Sequence, residues 1–599
     1  MNEQAAYLLE QLNCQQKEIV KSSENLIVTA CPGSGKTRVL TYKLAYTACQ
    51  HPYSIKKIVA ITYTNRAADE IKDRLDFLDI GESPIWAGTI HQFCLEYILY
   101  PYSMSSPRLC KGFKIIDEYI RAQYLDDILH ELDIAIPFFE RDAITTQLNT
   151  DMQITENRYI EVVKRYHEHL IANKEIDFDL ILSISLEILT KHPLAAQSIS
   201  KIIRSIFVDE YQDTNEIQYQ IIGKLSIANA GINLLFVGDT DQAIYGSMGG
   251  IAKSPEEISA ITGLTFKTKT LNGCYRSTQR LIDFYSYFQQ RAYKVNSLSE
   301  FAQKSGVITL NTTVHKDSIF ESISQIIFSQ LSDGIPPEEI CVIAPQWTLL
   351  YPLSKKLRTL LPDVQFDAPD ITPIKVDDLN VFYKLSKLIF TIAGEHVPRR
   401  KRIASEIIHI FNDEYNISLP DYVDNFWLLH QINSVKPDTT DGIEYYKRIV
   451  SHLLASCGIE NNGHPQLFET YNYFVEKMQS RIDRYDLATD IDVFRKAFRE
   501  RKGVVITSCH KIKGEEYNTV IAFGLLQGMI PHWDVIINHP LVATAEAKKM
   551  LYVIASRAKE SLYLFAEQGR TRRSGYYTLT EILNTYPFDY DVDTTTAVQ

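Results

Sequence analysis

Lys36 and Thr37 close a short glycine-containing stretch, Cys31–Pro32–Gly33–Ser34–Gly35, that leaves a β-branched run (Leu26–Ala30) and enters a helical pattern. Small residues in such a turn let backbone N–H groups face anionic oxygens, with a helix N-terminus behind them. The spacing fits G-x-x-x-x-G-K-[ST], with Ala30 in place of the first glycine. In that pattern Lys36 reaches the β- and γ-phosphates, and the Thr37 hydroxyl ligates Mg²⁺. Further along, the apolar run Ile203–Glu210 delivers Asp209 and Glu210 at its C-terminal end, where ligands bind in open α/β sheets. Asp209 suits a carboxylate that holds Mg²⁺ directly or through a water, and Glu210 a base that polarises an attacking water. The chemistry these residues share is nucleoside triphosphate hydrolysis.

Positioning such groups requires strands that alternate with helices. Strand-like runs are expected at Leu26–Ala30, Lys57–Thr64, Ile203–Glu210 and Ile232–Asp239. A second set falls at Ile340–Pro345, Gly503–Ser508, Thr519–Leu525 and Ser561–Glu567. This alternation implies an α/β fold with doubly wound parallel sheets. Residues from about 95 to 200 and from about 391 to 490 are helical in pattern. The simplest architecture is two α/β domains, each interrupted by a helical insertion.

Bulk properties narrow the class. With 599 residues the chain is long enough for several cores. Its formal charge of −12 does not advertise a nucleic-acid binder, so any such binding needs a locally basic cleft. Nine cysteines form no C-x-x-C pair, which argues against zinc or iron–sulfur sites and for reduced thiols in a cytosol. No apolar run reaches the roughly 18–20 residues of a membrane span. The nearest, "VFYKLSKLIFTIAG" from Val381, is broken by Lys384 and Lys387 and reads as an amphipathic core helix.

The motifs taken together resemble the UvrD/Rep/PcrA-like DNA helicases of superfamily 1A, in order and over most of the chain. "LNCQQKEIV" from Leu12 resembles the adenine-reading motif, with Gln16 on the base. "IVAITYTNRAADEIKDRL" from Ile58 and "AGTIHQF" from Ala87 resemble the first DNA-contacting motifs. "VDEYQDTN", "FVGDTDQAIYG" from Phe236 and "LNGCYRSTQRLI" from Leu271 resemble the next three. "SCHKIKGEEYNTVIAFGLLQGMIPH" from Ser508 and "EAKKMLYVIASRAKESLYL" from Glu546 resemble the last two. The resemblance implies two RecA-like motor domains. Domain 1A would comprise 1–95 and 181–275, with helical insertion 1B at 96–180. Domain 2A would comprise 276–390 and 491–599, with a reduced insertion 2B at 391–490.

The resemblance also implies residue roles. ATP would be held by Gln16, Gly33, Ser34, Gly35, Lys36 and Thr37, with Arg38 and Tyr275 flanking the adenine and Glu516 on the ribose. Asp209, Glu210 and Gln242 would act in hydrolysis. Arg276 and Arg557 would reach the γ-phosphate from the second domain, coupling turnover to closure of a cleft. Tyr63, Asn65, His91, Tyr245 and His510 would line single-stranded DNA or couple it to ATP. The implied activity is ATP- and Mg²⁺-dependent 3′→5′ translocation and unwinding of single-stranded and tailed duplex DNA.

Some positions depart from the family pattern. Ser247 and Met248 stand where an aromatic residue and an arginine are usual, Cys274 stands for asparagine, and Lys548–Lys549 replace an arginine pair. Losing a stacking platform could cost the DNA track about 1–3 kcal/mol. This departure and the short second insertion motivate an alternative, an ATP-gated DNA sensor regulating a partner nuclease without unwinding. UvrD-like helicases accompany nucleases in anti-phage systems such as Gabija. The basic clusters at Pro398–Arg402, Arg495–Lys502 and Arg570–Arg573 could touch duplex phosphates, but read better as solvated faces. Cys31, at a helix N-terminus that favours thiolate, raises the idea of a redox-sensitive thiol, although a small residue that simply fits is the plainer reading.

Overall fold

The computed structural model describes residues 3–78, 80, 84–116, 118–136, 144–149, 151–154, 158–244, 250–291, 293–367, 372–375, 377, 380–394, 397–413, 415–436, 438–498, 503–572 and 575–593. Tyr245, Ser247 and Met248 lie outside them, as do the ends of the second and third basic clusters. The chain packs as two compact units. One comprises Met1–Lys304 with Lys548–Tyr552, the other Ser305–Ala547 with Val553–Gln599.

The first unit is built on a parallel sheet of six strands: β1 (Leu26–Ala30), β2 (Lys57–Thr62), β3 (Ile85–Thr89), β4 (Ile203–Asp209), β5 (Asn233–Gly238) and β6 (Lys267–Leu271). Their order is β3-β2-β4-β5-β1-β6. Strands covered on both faces read as continuous apolar runs, as in "IFV" of β4 and "LLFV" of β5. Phe207 on β4 and Phe236 on β5 are wholly buried. The edge strand β6, "KTKTL", alternates lysine with threonine, and its outer residues are exposed. Its apolar content is too low to mark it as a strand, and it was not expected. The β3 edge strand was likewise unexpected.

Helices begin where local chemistry satisfies their free N–H groups. Thr64 caps Asn65–Phe77 by accepting from the Ala67 N–H. Asn215 and Gln218 form a reciprocal capping box on Glu216–Ala228. Between β3 and β4 the chain is mainly helical, with helices at Glu118–Glu131, Ile160–Asn173, Phe178–Lys191 and Pro193–Ile202. A two-residue parallel pair, Lys114–Ile115 with Glu175–Ile176, ties its ends.

The second unit contains a seven-stranded parallel sheet: β7 (Val307–Asn311), β8 (Ile340–Ala344), β9 (Phe366–Asp367), β10 (Val504–Ser508), β11 (Tyr517–Ala522), β12 (Ala558–Phe565) and β13 (Val592–Asp593). The order is β9-β10-β8-β11-β12-β7-β13. Two doubly wound parallel sheets with helical insertions are therefore the architecture, in agreement with the sequence reading.

The second insertion has its own core. Helices Val397–Asp413, Asn425–Ser434, Gly442–Ser456, Pro465–Tyr485 and Ile491–Arg495 close around Phe390, Phe411, Tyr446, Phe474 and Phe494. Phe390 lies against Phe494 with ring centroids 5.3 Å apart. Helix Val381–Ile389 joins this core, so the cluster starts upstream of the expected 391. Lys384 on that helix pairs with Glu406 at 2.7 Å, while Lys387 lies over the Tyr383 ring. Among the described residues no helix is long and apolar enough to cross a membrane.

Candidate functional site

The phosphate-binding turn leaves β1 and opens the helix Lys36–Gln50. Gly33 and Gly35 sit at φ of 68° and 78°, a region that side-chain-bearing residues rarely adopt. Gly33 is also crowded: a Cβ there would lie 2.6 Å from the Arg276 Cβ and 3.0 Å from the Cys274 Sγ. The turn is held from two sides. On one, the Gln16 Nε2 donates to the Ser34 carbonyl at 3.2 Å. Gln16 is itself fixed by a capping box with Asn13 at the start of helix Cys14–Lys21. On the other, the Cys31 N–H donates to the Leu271 carbonyl at 2.9 Å, and the Tyr275 N–H to the Gly33 carbonyl at 2.8 Å.

These contacts correct one expectation. Tyr275 and Arg276 pack in the first unit, because β6 pairs with β1 and carries them directly under the phosphate turn. Arg276 therefore belongs to the same body as Lys36 and is not donated from the second. The Tyr275 ring is partly exposed, and its hydroxyl accepts from the Asn13 Nδ2 at 2.6 Å. Arg38 donates to the Gln11 carbonyl at 2.8 Å and lies over the Tyr42 ring. Gln16, Arg38 and Tyr275 thus gather around one rim of the turn.

The two acids stand at the end of β4. Glu210 lies 3.7 Å from the Lys36 Nζ. Its backbone is left-handed at φ 50°, a conformation costing a non-glycine residue about 1–3 kcal/mol, and such strain clusters at functional sites. Asp209 is buried, and one of its oxygens accepts the Glu210 N–H at 3.0 Å. Burial pushes the Asp209 carboxyl up, the Glu210 charge adds to that, and Lys36 opposes it. A buried acid beside a partly exposed one, with a single lysine facing them, suits a further cation. Asp209 and the Thr37 hydroxyl, in the first turn of the helix, fit Mg²⁺ in this role. Among the described residues no group of three His, Cys, Asp or Glu could hold a metal by itself. Such an ion would therefore complete its shell with phosphate oxygens and water.

Two polar residues that the sequence reading did not single out tie the site together. Gln212 donates from Nε2 to Glu210, and its Oε1 accepts the Asp239 N–H at 3.0 Å. A Cβ on Gly238 would lie 2.2 Å from that Oε1, so the glycine makes room for the bridge. Asp239 in turn accepts from the Gln242 Nε2 at 2.7 Å. Glu210 and Gln242 are therefore tied through one wholly buried aspartate. The neighbouring Asp241 is pushed up to about 6 by burial and by Asp239, and its Oδ1 accepts the Gln290 N–H at 2.9 Å. Gln212 lies within "VDEYQDTN" and Asp239 within "FVGDTDQAIYG", but neither run shows that the two residues meet, because they follow separate strands.

The Cys31 thiol is buried, and burial pushes it well above its usual range, with Cys274 and Asp239 adding to the effect. The thiolate expected from the helix N-terminus is not favoured there, and the small-residue reading stands.

In the second unit, the Arg557 side chain is buried. Its guanidinium donates to the Val553 carbonyl at 3.0 Å, the Glu515 carbonyl at 3.4 Å and the Ser556 Oγ at 3.1 Å. Glu516 lies 3.8 Å from the Lys559 Nζ.

The DNA-contact candidates occupy strand ends and short helices. Tyr63 follows β2 and is 39% exposed, as a stacking platform must be. Asn65 opens the next helix. His91 sits on Ile90–Cys94, edge-on to Phe178 at 5.7 Å, and burial pulls its pKa down to about 4. His510 follows β10 in the second unit, and burial lowers its pKa too. Both histidines are held towards the neutral form. Of the basic clusters, Arg400 is structural: it is buried and donates to the Leu388 carbonyl at 2.9 Å and the Asn433 Oδ1 at 3.0 Å.

Comparison with known proteins agrees with this arrangement. Residues 12–254 match the UvrD/REP helicase N-terminal domain, and residues 470–569 match the UvrD-like helicase C-terminal domain. The ATP-dependent DNA helicase PcrA of Staphylococcus aureus (strain Mu50) is 24% identical over 644 aligned residues, covering 93% of this chain and 83% of that protein. PcrA of Staphylococcus epidermidis (strain ATCC 12228) is 24% identical over 634 residues, with the same coverage. With the phosphate turn, the paired acids and both family domains in order, the chain belongs to the UvrD/Rep/PcrA-like helicases of superfamily 1A.

Proposed function

We propose that this protein is an ATP-driven 3′→5′ translocase on single-stranded DNA that unwinds tailed duplexes. The observation that carries the reading is the pocket of the first unit, where Lys36 faces Glu210 at 3.7 Å beside the buried Asp209. Family membership turns a general NTP site into a DNA motor site.

ATP would enter with its base against Gln16 and Tyr275 and its phosphates along Gly33–Lys36. Bound Mg²⁺ would supply charge neutralisation on the β- and γ-oxygens. Glu210, kept in register by Gln212, would orient and deprotonate the attacking water. Gln242 would report the state of the γ-phosphate to the residues that follow it. Arg276 acts beside the phosphate turn. Arg557 is the candidate for a finger donated from the second unit, a device worth roughly 10³–10⁵ in rate. Tyr63, Asn65, His91, Tyr245 and His510 are the proposed strand contacts, with Tyr63 as the stacking surface.

The test is ATP hydrolysis with and without single-stranded DNA in the presence of Mg²⁺, followed by strand displacement on 3′- and 5′-tailed duplexes. Strong DNA stimulation and displacement from 3′ tails are expected. Absence of stimulation rules the translocase out. Stimulation without displacement transfers support to the alternative, a DNA-sensing regulator of a partner nuclease, which the Ser247–Met248 departure motivates.

A further inference from the structure

Asp239 follows β5 with its carboxylate wholly out of solvent, and a buried charge persists only when donors surround it. Its Oδ1 accepts the Asp241 N–H at 3.1 Å. Its Oδ2 accepts twice, from the Gln242 Nε2 at 2.7 Å and from the Tyr552 hydroxyl at 3.3 Å. Tyr552 comes from a distant part of the chain, the segment Lys548–Tyr552 that packs within the first unit. Its ring is fully buried and meets Tyr285 edge-on at 5.5 Å.

We propose that Tyr552 is a positioning residue for ATP hydrolysis, its hydroxyl acting through the Asp239 carboxylate to fix the orientation of the Gln242 amide. The inference rests on the reading of the pocket as an ATP site. A phenylalanine would fill the same space and keep the ring contact with Tyr285. The hydroxyl must therefore be explained by its partner, and among the described residues its hydrogen-bond partner is Asp239. Two donors share one oxygen, so the tyrosine occupies one side of Oδ2 and confines the glutamine amide to the other. With the hydroxyl gone, that amide gains room to turn about Oδ2. The consequence reaches Glu210 as well. The Asp239 N–H holds Gln212, which donates to Glu210, so a shift of the aspartate moves both side chains.

The experiment uses the full chain and measures DNA-stimulated ATP turnover against ATP concentration, wild type first. Absence of turnover in the wild type counts against the ATPase reading and not against Tyr552. With turnover established, Tyr552→Phe is expected to lower kcat about tenfold while KM for ATP stays within about twofold, the signature of a lost positioning contact and not of lost binding. Asp239→Asn, with Tyr552 intact, should reproduce that split. In a Gln242→Ala background, Tyr552→Phe should cost less than about twofold further, because the residue it positions is already gone. Wild-type kcat in Tyr552→Phe, or losses that multiply fully with Gln242→Ala, overturns the proposal. If Tyr552→Phe fails to fold, Asp239→Asn decides: a wild-type rate there overturns it equally.

Discussion

Glu210 concentrates most of the proposed chemistry at the residue scale. Its left-handed backbone and its place beside Asp209 both work against stability, while Lys36 and Gln212 offset part of that. Asparagine tolerates the same backbone region and removes one of two adjacent charges. Glu210→Asn is therefore expected to melt a few degrees above wild type while losing at least about 10² in ATP turnover, since the proposed general base is gone. Calorimetry beside an ATPase assay checks this, and a lowered melting temperature contradicts it. His91 supplies a pH test. Burial holds the folded pKa near 4, whereas the unfolded chain takes up that proton near about 6.5. Between those values the unfolded state binds more protons, so stability falls as pH drops from about 6.5 towards 4. His91→Phe should flatten that limb of the melting curve, and an unchanged slope contradicts the assignment. The grouping of Lys36 with Asp209 and Glu210 was legible in sequence because each stands in a compact local motif. The bridge between Gln212 and Asp239 was not, because it exists only once β4 and β5 lie side by side.

At the scale of elements, the central parallel strands were legible because burial on both faces demands unbroken apolar runs. Edge strands escaped for the converse reason: β6 has one neighbour, and its exposed face carries lysines. That omission also explains the misplacement of Arg276, since joining β6 to β1 is what draws the arginine under the phosphate turn. Two substitutions test these elements. Phe207→Ala, in the middle of β4, removes a wholly buried ring and should cost about 3–5 kcal/mol by denaturant unfolding. Gly33→Ala meets both a left-handed φ and the Arg276 Cβ, so nucleotide affinity, read by fluorescent ATP analogue titration, should fall more than about tenfold. Binding at wild-type strength would show that the turn has more freedom than its packing implies.

For the whole molecule, an acidic chain with ordinary composition concealed two motor sheets, and ordered motifs revealed them where bulk charge did not. The second insertion is the part least predictable in extent. Its boundary follows shared packing, and helix Val381–Ile389 contributes to that core although its amphipathic pattern would suit either neighbour. A fragment from Thr372 to Phe498 is expected to show helical circular dichroism and a single cooperative melt, since its buried aromatics contact one another. A gradual, non-cooperative melt would mean that the cluster depends on the rest of the chain. A body that carries its own interior is also one that inheritance can trade. Changes confined to this bundle should leave the phosphate pocket of the first unit untouched. Divergence between relatives should therefore gather on its outer helices, where new associations can be tried at little risk to the engine.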